Sequence, residues 1–224
     1  MDLQVISFVD RKYIDFQGLN YIFKEEDKDK AYIKEYYLFN GRRIEILFIE
    51  KDKYINVYSS RNIKKTVILT NKVQKHQEKY ISRERSIIFT GDKSSGRGHA
   101  ILLNQLLNKE QIHLKALIML IYDNEVYRRI NDNRKIDMMI VGSEKRDKVI
   151  TNIVMNTLKE ISLIERCSSI ELVLYTNREF LLSELINIED PIYEYINCGK
   201  LKIKQCLCEN KDESIYYMVI AATE

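Results

Sequence analysis

Two regimes of apolar and polar patterning divide the 224-residue chain. Up to about residue 72, short apolar and aromatic runs (LQVISFVD, KAYIKEYYLF, RRIEILFIE, KYINVYSS and KKTVILTN) are separated by Gly18, Asn40-Gly41 and charged turns. That spacing is the signature of strands and predicts a small antiparallel sheet or barrel over 1–71. FNGRR is its clearest turn, because Asn-Gly supplies the positive φ angles of a tight hairpin. From His99 the pattern changes. Ile101, Leu102, Leu103, Leu106 and Leu107 recur at helical spacing, so HAILLNQLLNK reads as an amphipathic helix. A strand at 116–122 follows, then a buried strand in KIDMMIVGS, a helix over RDKVITNIVMNTLKEI, a third strand in SIELVLYT and a short helix in EFLLSELI. Strands alternating with helices predict parallel pairing and an α/β sheet. At the end, KLKIKQCLC and SIYYMVIAA are separated only by ENKDE, which reads as an antiparallel hairpin.

Composition adds charge asymmetry to this picture. With 45% hydrophobic residues the chain can pack a core, and its 31% charged residues nearly balance at a net +3. The distribution is uneven: between Arg61 and Arg97, ten Lys or Arg face three carboxylates, a net +7 that leaves −4 for the remainder. Within it, KVQKHQEKYISRER is polar, basic and without a strong apolar face, so 72–85 reads as a connection between a β domain (1–71) and an α/β domain (86–224). No window reaches the roughly 18 continuous apolar residues of a membrane span. MDLQVISFVDRKY lacks the basic start and cleavage site of a secretory signal, so an intracellular protein is expected. Cys167, Cys198, Cys206 and Cys208 fit reduced thiols in such a compartment. Cys206 and Cys208 fall on one face of an expected strand, but no full ligand set accompanies them, and no metal site is expected.

Three stretches carry candidate chemistry. TGDKSSGRGH has Gly91 and Gly96 at the spacing of a phosphate-binding loop, yet Arg97 and Gly98 stand where that motif places lysine and a magnesium-binding hydroxyl. SIIFTG and LVLYTN resemble the strands that carry the metal-binding acids of a ribonuclease H fold, with Gly91 and Asn177 at the two key places. Loss of those carboxylates would remove the metal and its chemistry. After Ile121, an S-adenosylmethionine site would require glycine close to the cofactor, whereas Asp123, Asn124, Glu125, Tyr127 and Arg128 follow. Asp123 and Glu125 as a paired-carboxylate site lack a histidine or third acid at useful spacing. A lost cofactor site is the expectation.

The stretch QEKYISRERS resembles the segment joining the two domains in the non-catalytic subunit of eukaryotic tRNA (adenine-58-N1) methyltransferase. RGHAILLNQLL, LKALIMLIY, VYRRI, IDMMIVGSE and SSIELVLYTNREFLLSEL follow in the family's order, and KEYYLFNGRRIEILFIE is similar to its β domain. The chain lacks stretches that typical members carry before the second and final strands, as a strongly reduced member would. The resemblance implies a Rossmann-like methyltransferase fold, closed by the antiparallel hairpin and preceded by the β domain. It also implies a nuclear hetero-oligomer of two catalytic and two non-catalytic subunits. This chain would be non-enzymatic and bind tRNA, with no cofactor of its own, while the catalytic partner holds S-adenosylmethionine. Lys72, Lys75, Lys79, Arg83, Arg85 and Arg97 would neutralise phosphates and Tyr80 would stack on a base. The alternatives are an active methyltransferase with an unusual cofactor loop and a catalytically dead ribonuclease H-like nucleic-acid-binding protein.

Overall fold

The first apolar run forms strand β1 (Leu3–Ser7), every residue of which is buried. A strand without a solvated face belongs inside a parallel sheet. In the computed structural model β1 lies between β5 (Arg42–Ile49) and β6 (Lys65–Thr70), parallel to both, with Val5 opposite Ile46 on one side and Val67 on the other. The residues described are 3–27, 32–49, 65–72, 86–92, 100–108, 110–122, 135–196, 201–208 and 213–223. They fall into two compact units, Met1–Lys115 and Ala116–Glu224.

In the first unit, β7 (Ser86–Thr90) joins parallel to β6, and β8 (Ala100–Leu103) joins parallel to β7. Beyond β5 the sheet turns antiparallel through β4 (Tyr32–Phe39) and β3 (Asn20–Asp27). The order is therefore β3-β4-β5-β1-β6-β7-β8, a large, mostly parallel sheet of an α/β fold. The expected hairpin is present between β4 and β5. Phe39 pairs with Arg42 across Asn40 and Gly41, at φ 47° and 73°, the doubly positive combination of a twist-matched two-residue turn. The small antiparallel sheet expected over 1–71 is corrected by β1 and β6, whose nearly complete burial suits the parallel part in which they pair. The strands bordering the basic segment 72–85 are direct neighbours, Ile68 pairing with Ile88.

After β1 the chain folds back over one sheet face. Phe16 stacks on Tyr37 at 5.2 Å, and the Arg11 guanidinium lies over Phe16 while bonding buried Glu35 at 2.8 Å. A short ladder follows, β2 (Ile14–Asp15) running parallel to β9 (Ile112–His113).

Two expectations between 99 and 122 are exchanged. The expected helix is strand β8 followed by the short helix α1 (Asn104–Asn108), and the expected strand at 116–122 is helix α2 (Leu114–Tyr122). Leu114, Ala116, Leu117, Ile118, Leu120 and Ile121 are all at most 1% exposed. A helix buried all round leaves no polar face, and its apolar run cannot be told from that of a core strand.

The second unit contains β10 (Lys135–Glu144), α3 (Arg146–Lys159), α4 (Ile161–Ile164), β11 (Ser169–Thr176), α5 (Leu182–Tyr193), β12 (Leu201–Leu207) and β13 (Ile215–Thr223). Strand β13 lies antiparallel between β10 and β11, while β12 pairs parallel with the far side of β11. The terminal hairpin is thereby corrected, because β12 and β13 are not partners. Burial explains the arrangement: Ile215 to Ala221 are all buried, which suits an interior strand, whereas β12 exposes Lys202 and Leu207 and takes the edge. Gly142 sits opposite Tyr217, and a Cβ there would lie 2.3 Å from the tyrosine Cζ. Only glycine lets that ring cross the strand. Its hydroxyl donates to Asn152 Oδ1 at 3.1 Å and accepts from Asn156 Nδ2 at 2.7 Å, which ties α3 to the sheet. Among the described residues no helix is long and apolar enough to cross a membrane.

Candidate ligand site at the carboxyl ends of the parallel strands

Three adjacent parallel strands of the first unit finish in the same way. Each ends in a hydroxyl residue whose side chain bonds the backbone two residues on, a local turn typical of serine and threonine. Ser7 Oγ donates to the Val9 carbonyl at 2.9 Å and accepts the Val9 amide at 3.2 Å. Thr70 Oγ1 donates to the Lys72 carbonyl at 2.9 Å, and Thr90 Oγ1 accepts the Asp92 amide at 3.1 Å. Backbone bonds lace the turns together, Phe8 N to the Leu69 carbonyl at 2.8 Å and Gly91 N to the Thr70 carbonyl at 3.3 Å. Beneath them lies an apolar floor of Ile6, Phe8, Leu47, Ile49, Ile68 and Ile88.

In open α/β sheets ligands bind outside the carboxyl ends of the strands where the strand order reverses; here the order reverses between β1, whose chain goes on to β3, β4 and β5, and β6, whose chain goes on to β7 and β8. Asp10, Asn71, Lys72, Gly91 and Asp92 stand on the rim. Arg11 is drawn away to Glu35, and Lys12 pairs with Asp10 at 3.3 Å. Lys72 is exposed. Helix α1 is pressed against the exit of β7, since a Cβ on Gly91 would come within 3.1 Å of the Leu106 backbone. Asn104 and Gln105 are buried in that helix, and the Asn108 amide bonds the Asn104 side chain. Exposed Lys72 is a cation on this rim and Asp10 and Asp92 are carboxylates, while the Ser7 and Thr70 hydroxyl protons go to the Val9 and Lys72 carbonyls.

Elsewhere in this unit His113 Nδ1 lies 3.2 Å from Asp15 Oδ2. The histidine contact, followed by the Gln17 amide, holds the Asp15 carboxyl below its ordinary range. This pair reinforces the β2–β9 ladder. Among the described residues no group of three or more His, Cys, Asp or Glu could hold a metal ion. Cys167 is buried, and Cys206 and Cys208 are partly buried thiols.

Of the residues expected to bind tRNA, Lys72 lies on the rim just described. Lys75, Lys79, Tyr80, Arg83, Arg85 and Arg97 lie outside the described residues, as do Asp123, Glu125 and most of the TGDKSSGRGH stretch. Sequence reasoning did not single out Ser7, Thr70 and Thr90. Their signal is nonetheless present: VIS, ILT and IFT are apolar runs that each stop at a hydroxyl residue followed within three positions by Asp or Lys.

No protein-family model and no curated protein matches the sequence. Among solved structures, an FtsZ from M. jannaschii is similar with a TM-score of 0.41 at 10% identity, over 70% of this chain and 65% of that one. CetZ1 from Haloferax volcanii, a GDP-bound monomer, gives 0.38 at 11% identity over 70% and 55%. TubZ of Bacillus thuringiensis serovar israelensis, in GDP-form protofilaments, gives 0.36 at 8% over 77% and 65%. The chain thus spans less than two thirds of the length of these proteins.

These neighbours are FtsZ-, CetZ- and TubZ-type proteins, and the expected membership of the tRNA methyltransferase subunit family is corrected. The stretch LKALIMLIY, which resembles that family's degenerate cofactor strand, is helix α2 and not a strand. With that membership falls the reading of the chain as the tRNA-binding subunit of a methylation complex. The active methyltransferase and the ribonuclease H-like alternatives find no support in the comparisons either.

Proposed function

We propose that the first unit is a binding module for a phosphate-bearing ligand of the nucleotide class, held at the carboxyl ends of β1, β6 and β7 without being turned over. The observation that carries this reading is the laced rim of Ser7, Thr70 and Thr90 turns where the strand order reverses, from which the glycine-bearing stretch Gly91–Gly98 departs in sequence. Lys72 supplies the positive charge. The absence of turnover is supported by the sequence, where Arg97 and Gly98 replace the lysine and hydroxyl residue of a magnesium-binding phosphate loop.

The test is calorimetric titration of the full chain with ATP, GTP, GDP and pyrophosphate in the presence of magnesium, alongside a phosphate-release assay. Saturable binding by at least one of them is expected, weakened about tenfold or more by Lys72→Glu through charge reversal. No phosphate should be released above the buffer rate. Absence of saturable binding to millimolar ligand would overturn the reading, and steady phosphate release would overturn its non-catalytic half.

A further inference from the structure

In the second unit, two leucines stand in water on one of its best-braced turns. Leu181 and Leu182 are 69% and 74% exposed, more than any other large hydrophobic side chain among the described residues. Bracing begins at Arg146, whose Nε and terminal nitrogens bond both Glu184 oxygens at 3.2 and 2.7 Å. The same guanidinium donates to the Arg178 and Glu179 carbonyls at 3.2 and 2.8 Å and lies 4.3 Å over the Phe180 ring. Glu184 also accepts the Leu181 amide at 2.8 Å, and Gln205 Oε1 accepts the Phe180 amide at 2.7 Å. A turn tied on every side has already lost the freedom that binding would otherwise have to freeze. Exposed leucines on such a turn are poised for a partner.

The neighbouring surface says what kind of partner. Ile186, one helical turn after Leu182, is 41% exposed and continues the apolar stripe along α5. Helix α5 carries Glu184, Glu189 and Asp190 and no Lys or Arg; Glu184 is paired with Arg146 and exposed Arg178 stands beside Glu179, so the net negative charge lies at Glu189, Asp190 and exposed Glu194. An apolar stripe set among carboxylates repels an anionic membrane and attracts cations beside an apolar face. We infer that Leu181, Leu182 and Ile186 dock against a cationic amphipathic helix of a protein partner, its leucine-type face on the stripe and its Lys or Arg residues beside Glu189 and Asp190. This inference concerns a different unit from the phosphate ligand and does not depend on it.

A fluorescein-labelled 18-residue amphipathic helix built of Leu and Lys serves as the probe, followed by anisotropy with the full chain. Binding is expected at low salt. It should weaken about tenfold or more in the Leu182→Asp, Ile186→Asp double variant, and in Glu189→Lys, Asp190→Lys it should weaken with a flatter salt dependence. These positions are exposed or partly exposed surface sites, and circular dichroism confirms that each variant keeps its fold. An equally patterned Leu/Glu peptide should not bind. Equal binding of both peptides, or unchanged binding by both variants, would overturn the inference. Binding to vesicles of anionic phospholipid without binding of the Lys peptide would overturn it in favour of a membrane surface.

Discussion

Arg146 ties its turn together because its planar fork reaches a carboxylate and two carbonyls at once. Arg146→Ala is expected to cost about 1.5–3 kcal/mol in urea unfolding, the range for hydrogen bonds to a charged group. Arg146→Lys should recover only part of that, since an ammonium cannot reproduce the fork. The arginine, with the Leu181 amide second, holds the Glu184 carboxyl below its ordinary range. A carboxyl depressed on folding stabilises the native state above its unfolded pKa and loses that contribution as pH falls through the folded value. The stability advantage of the parent chain over Glu184→Gln should therefore be constant near neutrality and shrink below about pH 4. An advantage that grows on acidification would show the pair is not what holds the turn. Gly142 gives a steric counterpart. Gly142→Ala should lower stability by about 1–3 kcal/mol, the usual cost of overpacking, because its methyl meets the Tyr217 ring; thermal melts of the two proteins measure this.

At the scale of elements, the hydroxyl-ended strands predict a shared but modest effect. Thr70→Val and Thr90→Val each remove one local bond at the rim and are expected to cost about 0.5–1.5 kcal/mol, read by chemical unfolding. Because the Gly91 amide bonds the Thr70 carbonyl, the two changes should couple rather than add. Strand identity was legible where patterning was unambiguous: KEYYLFNGRRIEIL declares its hairpin through Asn40-Gly41, and RDKVITNIVMNTLK declares α3 through a single apolar face. It was illegible where burial is complete. AILL in β8 and ALIMLIY in α2 are both continuous apolar runs, and such a run signals burial without signalling backbone geometry. Pairing was less legible still. The short interval between β12 and β13 suggested a hairpin, yet the buried length of β13 earns it two partners, β10 and β11. Local spacing carries no information about a third strand that competes for the same edge.

For the whole molecule, the candidate site was partly visible. Gly91 and the glycines after it were flagged by spacing, whereas the part played by Ser7 and Thr70 depends on β1 lying beside β6, a contact between residues some sixty positions apart that no local motif encodes. The most direct test of the account is hydrogen–deuterium exchange of the full chain with and without magnesium and a saturating nucleotide or pyrophosphate. Bound ligand stabilises the segments it touches against local opening. Slower exchange is predicted in peptides covering Phe8–Lys12, Asn71–Lys72 and Gly91–Asp92, with Arg146–Ile196 unchanged. Protection confined to Arg146–Ile196, or none along the rim at saturating ligand, would contradict the assignment of the ligand site to the carboxyl ends of β1, β6 and β7.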